Sequence, residues 1–277
     1  MKRFRLQIYT GIVLAAFIFC SLTAGAQQTK VQNGSAQKPD VLNNRLTYPV
    51  LFHQTSAEYR ALCHQAFNSA RIYLEELLKQ RGSDEKYAII TDVDETMVDN
   101  SYLEARLIKE GKEYNSKFWN EWVALSAATE VPGALEFTNW AASKGVEIFY
   151  VSNRKIAEVP ATIKNLKKLG FPYADSLHAI FMDKESSKES RRQKISSTHK
   201  VVMLMGDNLN DFADIFERKS IQERFDATDK FKNEWGTKFI VLPNPMYGEW
   251  ENALYEYKRS LTPDEKNEKL LGKLKSF

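Results

Sequence analysis

Cysteine is nearly absent from this 277-residue chain: it has Cys20 and Cys63 alone, so neither a disulfide framework nor a thiolate-clustered zinc site can be built. Its four histidines, His53, His64, His178 and His199, fall in no metal-like pair and read as structural. There is no Arg-His-Gly motif for phosphohistidine chemistry and no Gly-x-Ser-x-Gly elbow for a serine nucleophile. No internal repeat of roughly 20 to 50 residues is visible. An excess of one charge is lacking too, with 39 Lys and Arg against 36 Asp and Glu. What remains, 43% hydrophobic, 27% charged and 12% aromatic, excludes disorder, collagen and a multi-pass membrane protein. The length suits one large domain or two small ones.

The N-terminus reads Met1-Lys2-Arg3-Phe4-Arg5, then an apolar run through Phe19, then Ala24-Gly25-Ala26. This is the positive, apolar and small-residue order of a secretory signal peptide, and the run is shorter than the roughly 20 residues of a membrane-spanning helix. Residues 1–26 are therefore expected to be cleaved on export, to the periplasm or the outer membrane. With Lys2, Arg3 and Arg5 removed, 36 basic residues balance 36 acidic ones. A nucleic-acid polymer or an anionic membrane surface is then not the expected partner. Lipidation at Cys20 is the alternative processing, with bulky Phe19 against it and the polar, aperiodic linker 27–40 in its favour as a tether. A flexible mature N-terminus reads the same way.

Residues 41–84 form a helical segment. Thr55 with Glu58 makes a capping box, and Tyr59, Leu62, Cys63, Ala66, Phe67, Ala70, Tyr73, Leu74, Leu77 and Leu78 keep helical spacing up to Gly82. Cys63 lies on the apolar stripe and reads as a buried structural thiol. From 85 onward short apolar runs, Tyr87–Thr91, Val146–Val151, Ala179–Phe181, Val201–Met205 and Lys238–Leu242, alternate with helical stretches. That alternation predicts an α/β fold, a Rossmann-like, mainly parallel sheet covered on both faces, with chemistry beyond the strands' carboxyl ends.

Polar clusters stand at three of those ends: Asp92-Val93-Asp94-Glu95-Thr96, Ser152-Asn153-Arg154, and Gly206-Asp207-Asn208-Leu209-Asn210-Asp211. Asp92 and Asp94 project from one strand tip, and Asp207 and Asp211, four apart, share one side of a loop or first helical turn. Each pair of like charges at 4 Å costs about 4 kcal/mol at an effective dielectric near 20. A divalent cation resolves that repulsion, and all-oxygen ligands suit a hard octahedral ion such as Mg²⁺ better than zinc. A single Asp-x-Asp would read as a cap or turn, but the pairing with a strand-end Gly-Asp-x-x-x-Asp does not.

Ile89–Tyr102 together with Met205–Phe212 resembles the bipartite signature of bacterial class C acid phosphatases, which include outer-membrane lipoprotein 5'-nucleotidases and belong to the haloacid dehalogenase superfamily. The resemblance runs from about Gln54 to Trp250. It implies a haloacid dehalogenase-type core over 85–277 with a small helical cap inserted near 100–131, to which the 41–84 helix contributes. Asp92 matches the nucleophile that forms an aspartyl-phosphate, and Asp94 the acid/base that protonates the leaving alkoxide and then activates water. Asp92, Asp207 and Asp211, with the Asp94 backbone carbonyl, match the Mg²⁺ ligands. A metal on Asp92 would keep it ionised while Asp94 stays protonated, which predicts an acid-shifted optimum. Ser152 matches the hydroxyl that holds a phosphoryl oxygen, with Asn153 beside it at the substrate, and Lys188 fits the charge-neutralising lysine best, Lys184 being the runner-up. The bland reading of that basic run is a solvated helix face.

In the insertion, Phe118 and Trp122 have the spacing of core residues. Trp119 points elsewhere and resembles the family aromatic that stacks on a substrate base, with Tyr247 as its partner; stacking tolerates different bases. The expected activity is hydrolysis of 5'-nucleotides and other small phosphomonoesters. The alternatives are a phosphatase or phosphotransferase for non-nucleotide esters and a non-catalytic surface binding protein on the same scaffold. The resemblance also implies a homodimer.

Overall fold

The computed structural model describes residues 44–277. The leader 1–26, the linker 27–40, Cys20 and residues 41–43 of the helical segment lie outside the described residues. Among the described residues no helix is long and apolar enough to cross a membrane.

Two helices open the chain, α1 (Thr47–Thr55) and α2 (Ala57–Lys79). The break between them corrects the expected helix start. Ser56 is the N-cap, its backbone extended and its hydroxyl accepting from Tyr59 N at 3.0 Å, whereas Thr55 belongs to α1 and donates back to Leu51 O. Along α2, Tyr59, Cys63, Phe67, Ala70 and Leu74 recur three or four residues apart and are buried. Cys63 is fully enclosed, and burial pushes its thiol up to about 11, as an inert core group requires.

Strand β1 (Tyr87–Thr91) runs through a tight loop into β2 (Val98–Asp99), α3 (Ser101–Glu110) and α4 (Ser116–Leu125). Strand β3 (Thr129–Glu130) returns antiparallel to β2 as a two-stranded ribbon. Helix α5 (Ala134–Ser143) leads to β4 (Glu147–Lys155) and α6 (Val159–Leu169), then β5 (Ala179–Met182) and α7 (Glu189–Ser196). Strand β6 (Lys200–Gly206), α8 (Ile221–Lys230), β7 (Phe239–Val241), α9 (Glu249–Leu254) and α10 (Pro263–Lys273) complete the order. All five apolar runs form strands, and these pair in parallel in the order β5-β4-β1-β6-β7.

Both faces of the sheet are covered, which is why the strands are apolar at successive positions rather than alternate ones. Tyr87, Ile89, Ile148 and Tyr150 face a core shared with α2, α5 and α6. Ala88, Ile90, Phe149 and Val151 face the other side, with Ile195 of α7 and the rings of Phe212, Phe231 and Phe239. The chain leaves β1 for β4 and β5 on one side, then crosses back to β6 and β7 on the other. That reversal opens a crevice at the carboxyl ends of β1 and β6.

The expectation that 41–84 contributes to the cap divides between its two helices. Helix α1 packs against α3, with Val50, Ile108 and Met246 in one small cluster. Helix α2 instead packs on α5 and β7 and belongs to the main core. Its apolar stripe is too long and too regular to be satisfied by the small cap. Truncation of Leu74, fully buried in that stripe, is expected to cost the folded state about 2–5 kcal/mol. Urea unfolding of Leu74→Ala against the parent checks it.

Candidate active site

Strand pairing continues to Asp92, whose N–H donates to Met205 O at 2.9 Å, so its carboxylate stands at the tip of β1 beside the end of β6. Lys188, 5% exposed at the start of α7, reaches across to contact Asp92 and lies 2.6 Å from Asp211. Asp211 closes a short 3₁₀ turn over Gly206 and accepts from Asn208 N at 3.0 Å. Glycine is required there because a Cβ at 206 would lie 2.3–2.6 Å from Asp211 side-chain atoms. Asp207 accepts from Asn244 Nδ2 at 2.8 Å and Thr96 Oγ1 at 3.4 Å. Carboxylate oxygens of Asp92, Asp207 and Asp211 lie within 4.8 Å of one another. Burial pushes the Asp92 carboxyl up to about 7, with Lys188 opposing and Asp211 and Asp94 reinforcing. Burial likewise lifts Asp207 well above the usual carboxylate range, Asp211 and Asp92 adding to it.

The Asp94 side chain turns away from this cluster. Arg154, itself buried, holds it with Nη2 at 2.7 Å and Nε at 3.0 Å from Oδ1, and Asn100 Nδ2 donates to the same oxygen at 2.8 Å. Among the described residues Oδ2 keeps only Arg154 Nε, at 3.2 Å. Asn100 is fixed in turn by Trp122 Nε1, which donates to its Oδ1 at 2.8 Å. Glu95, fully buried, adopts a left-handed backbone at φ 53° and accepts from Asn100 N at 2.7 Å. That conformation costs a residue with a Cβ roughly 1–2 kcal/mol, and it turns the chain so that Asp94 faces Arg154. The Tyr247 hydroxyl donates to the other Glu95 oxygen.

Ser152 is fully buried near the end of β4. Its Oγ accepts from Arg154 N at 3.0 Å, and among the described residues its hydroxyl donates to none. Asn153 is exposed and ties down the loop before α7, donating to Ser186 O at 2.9 Å and accepting from Arg191 at 2.6 Å. Lys184 is exposed and away from the carboxylates, so the geometry distinguishes it from Lys188. Beside Asp94 opens a cavity of about 490 Å³ lined by Trp119, Tyr247, Met246, Asn153, Arg154 and Glu104 among others. Trp119 Nε1 donates to Glu158 at 3.1 Å, and the Arg154 guanidinium lies 5.1 Å from its ring centre. Trp122 packs on the core as its spacing suggests, but Phe118 is only half-buried, covered by the Arg106 and Lys112 cations.

Residues 8–250 match the family model of the haloacid dehalogenase superfamily, subfamily IIIB (acid phosphatase). The chain belongs to this family. Its membership places it among phosphomonoester hydrolases and agrees with the parallel sheet and helical layers seen here. A class C acid phosphatase from Bacillus anthracis is similar at 40% identity and a TM-score of 0.81, covering 86% of this chain and 99% of that one. The same enzyme with tungstate bound superposes at a TM-score of 0.80 and 41% identity, with the same coverage. A stem 31 kDa glycoprotein from Glycine max is 28% identical over 142 residues, and the match spans 49% of each chain.

In this acid phosphatase family member the residues fit a divalent cation. Three carboxylates converge with one ammonium between them, more acidic groups than Lys188 can neutralise once all are ionised, and Asp207 has no ion pair among the described residues. All donors are oxygens, as a hard ion prefers.

The sequence reading placed Glu95 and Arg154 in the strand-end clusters and Asn100 in the first signature but gave none of them, nor Glu158, a role. A signal existed for Arg154 alone: two residues after Ser152 on a strand, it shares that residue's face. Asn100 and Glu95 act through a loop whose path no periodicity describes. Gly206→Ala is expected to displace Asp211 and weaken binding of a divalent ion such as Mn²⁺ about 10- to 100-fold, measured by calorimetry on the folded protein.

Proposed function

We propose that this chain is a Mg²⁺-dependent acid phosphatase that hydrolyses 5'-nucleotides and other small phosphomonoesters through an aspartyl-phosphate on Asp92. The observation that carries the reading is the juxtaposition of Asp92, in contact with Lys188, with an Asp94 held by Arg154 at the mouth of an aromatic-walled cavity. Tungstate is an oxyanion of phosphate-like charge, and its binding to the Bacillus anthracis enzyme supports the same kind of seat here.

Asp92 would attack phosphorus in line with the leaving oxygen, forming the O–P bond as the ester bond breaks. Asp94 gives that oxygen its proton. Because Oδ1 already takes three hydrogen bonds, Oδ2 is the oxygen left to carry it. In the second step Asp94 takes a proton from water, which attacks the aspartyl-phosphate and releases inorganic phosphate. Lys188 offsets charge on the transferring group, and the unengaged Ser152 hydroxyl donates to one of its oxygens. A bound Mg²⁺, held by Asp92, Asp207, Asp211 and the Asp94 carbonyl, would supply Lewis-acid charge against the phosphoryl oxygens.

The nucleotide preference rests on Trp119 and Tyr247. Each is tethered at its polar tip, to Glu158 and Glu95, and both line the cavity. Stacking between such surfaces is worth about 1–3 kcal/mol per base. Export to the periplasm or outer membrane through the leader, and assembly as a homodimer, complete the proposal. Release outside the inner membrane would turn nucleotides, which do not cross it readily, into nucleosides and phosphate for uptake.

Phosphate release from 5'-nucleotides and phenyl phosphate is expected to stop with EDTA, to return with Mg²⁺, and to fall about a thousandfold or more in Asp92→Asn. Retained activity in that variant refutes the nucleophile. Arg154→Lys keeps the charge but loses the two-pronged grip on Asp94. Its kcat is expected to fall about 10- to 100-fold with KM nearly unchanged, in steady-state assays on one nucleotide.

A further inference from the structure

Glu104 is left over by this chemistry. It lines the cavity from α3 and is 7% exposed, yet among the described residues its carboxylate has no hydrogen-bond partner and no ion pair. Arg45 is the nearby cation, and it is already paired with Glu251. Burial lifts the Glu104 carboxyl above its ordinary range, with Arg45 opposing. Its oxygens are not sealed in but open on the cavity, where a bound molecule can bring them donors.

Its position says which donors. Asn100, immediately before α3, touches the Asp94 oxygen at 2.8 Å. Glu104 follows on the same face one helical turn later, about 6 Å along the axis. In a 5'-nucleotide the oxygen that takes the Asp94 proton is O5', and the ribose hydroxyls lie a few ångströms beyond it. Adding one hydrogen bond of about 2.8 Å reaches the level of Glu104. The base edge lies farther still. An ionised carboxylate accepts through two oxygens and donates nothing, which complements a vicinal diol. Acidic side chains hold ribose in the same way in dinucleotide sites.

We propose that Glu104 accepts hydrogen bonds from the 2'- and 3'-hydroxyls of a bound 5'-ribonucleotide and so selects ribonucleotides over deoxyribonucleotides. The assignment rests on the nucleotide reading of the cavity.

The test compares kcat/KM for adenosine 5'-monophosphate with its 2'-deoxy and 2',3'-dideoxy analogues, in the parent, Glu104→Gln and Glu104→Ala, with phenyl phosphate as a sugar-free substrate. The parent is expected to favour the ribonucleotide over the 2'-deoxy form by about tenfold and over the dideoxy form by more. Both ratios fall toward one in the variants. The ratios are internal to each variant, so a general loss of activity or stability cancels. Parent ratios near one, or ratios unchanged by substitution, overturn the assignment and leave the nucleotide reading standing. If Glu104→Gln reorders the bases instead of the sugars, the carboxylate reads a base edge and the diol assignment is wrong. Turnover of phenyl phosphate with none of any nucleotide removes both readings together.

Discussion

Asp92, Asp207 and Asp211 hold carboxylate oxygens within 4.8 Å of one another at a place where little water reaches. Each pair at such a distance repels by about 4 kcal/mol at an effective dielectric near 20. Much of the surrounding structure answers that repulsion. Lys188 comes from the start of α7 to lie between Asp92 and Asp211, and Asn244 and Thr96 supply donors to Asp207. Gly206 carries no Cβ because Asp211 occupies the space one would need. A bound divalent cation would complete the compensation, and it would hold the carboxylates at the strand ends for use on a phosphoryl group.

The sheet makes such a concentration of charge sustainable. Its order reverses beside β1, so two loops from opposite sides of the fold meet without either strand having to bend. The cores on both faces fix the strands beneath the loops. Asp94 shows the same economy on a smaller scale. Arg154 and Asn100 saturate one of its oxygens, and Glu95, in a left-handed backbone held by Asn100 and Tyr247, sets the path of the loop. Tyr247 thus joins the cavity wall to the loop that follows β1.

The cap divides its labour between walls and anchors. Trp122 faces inward and bonds Asn100, while Trp119, three positions earlier, presents its ring to the cavity with its nitrogen fixed by Glu158. Arg45 and Leu46, just before α1, also line the cavity. The cavity is thus walled by the cap and the residues before α1, whereas the acidic cluster stands at the strand ends, and Asn100 touches both the cavity and Asp94.

The sequence by itself determined the five strands, because a strand buried on both faces must be apolar at consecutive positions, and it determined the acidic clusters that follow two of them. Strand-end placement was enough to bring Asp92, Asp94, Ser152, Asp207 and Asp211 toward one crevice. It was not enough to choose between Lys188 and Lys184, four residues apart in one basic run. Only the tertiary structure shows that Lys188 is the one buried against Asp92, since that depends on where the loop before α7 crosses the sheet. The same holds for Arg154, Glu95 and Glu104. Each is an ordinary charged residue in the sequence, and each is set apart only by contacts or an open space that exist once distant segments have packed together.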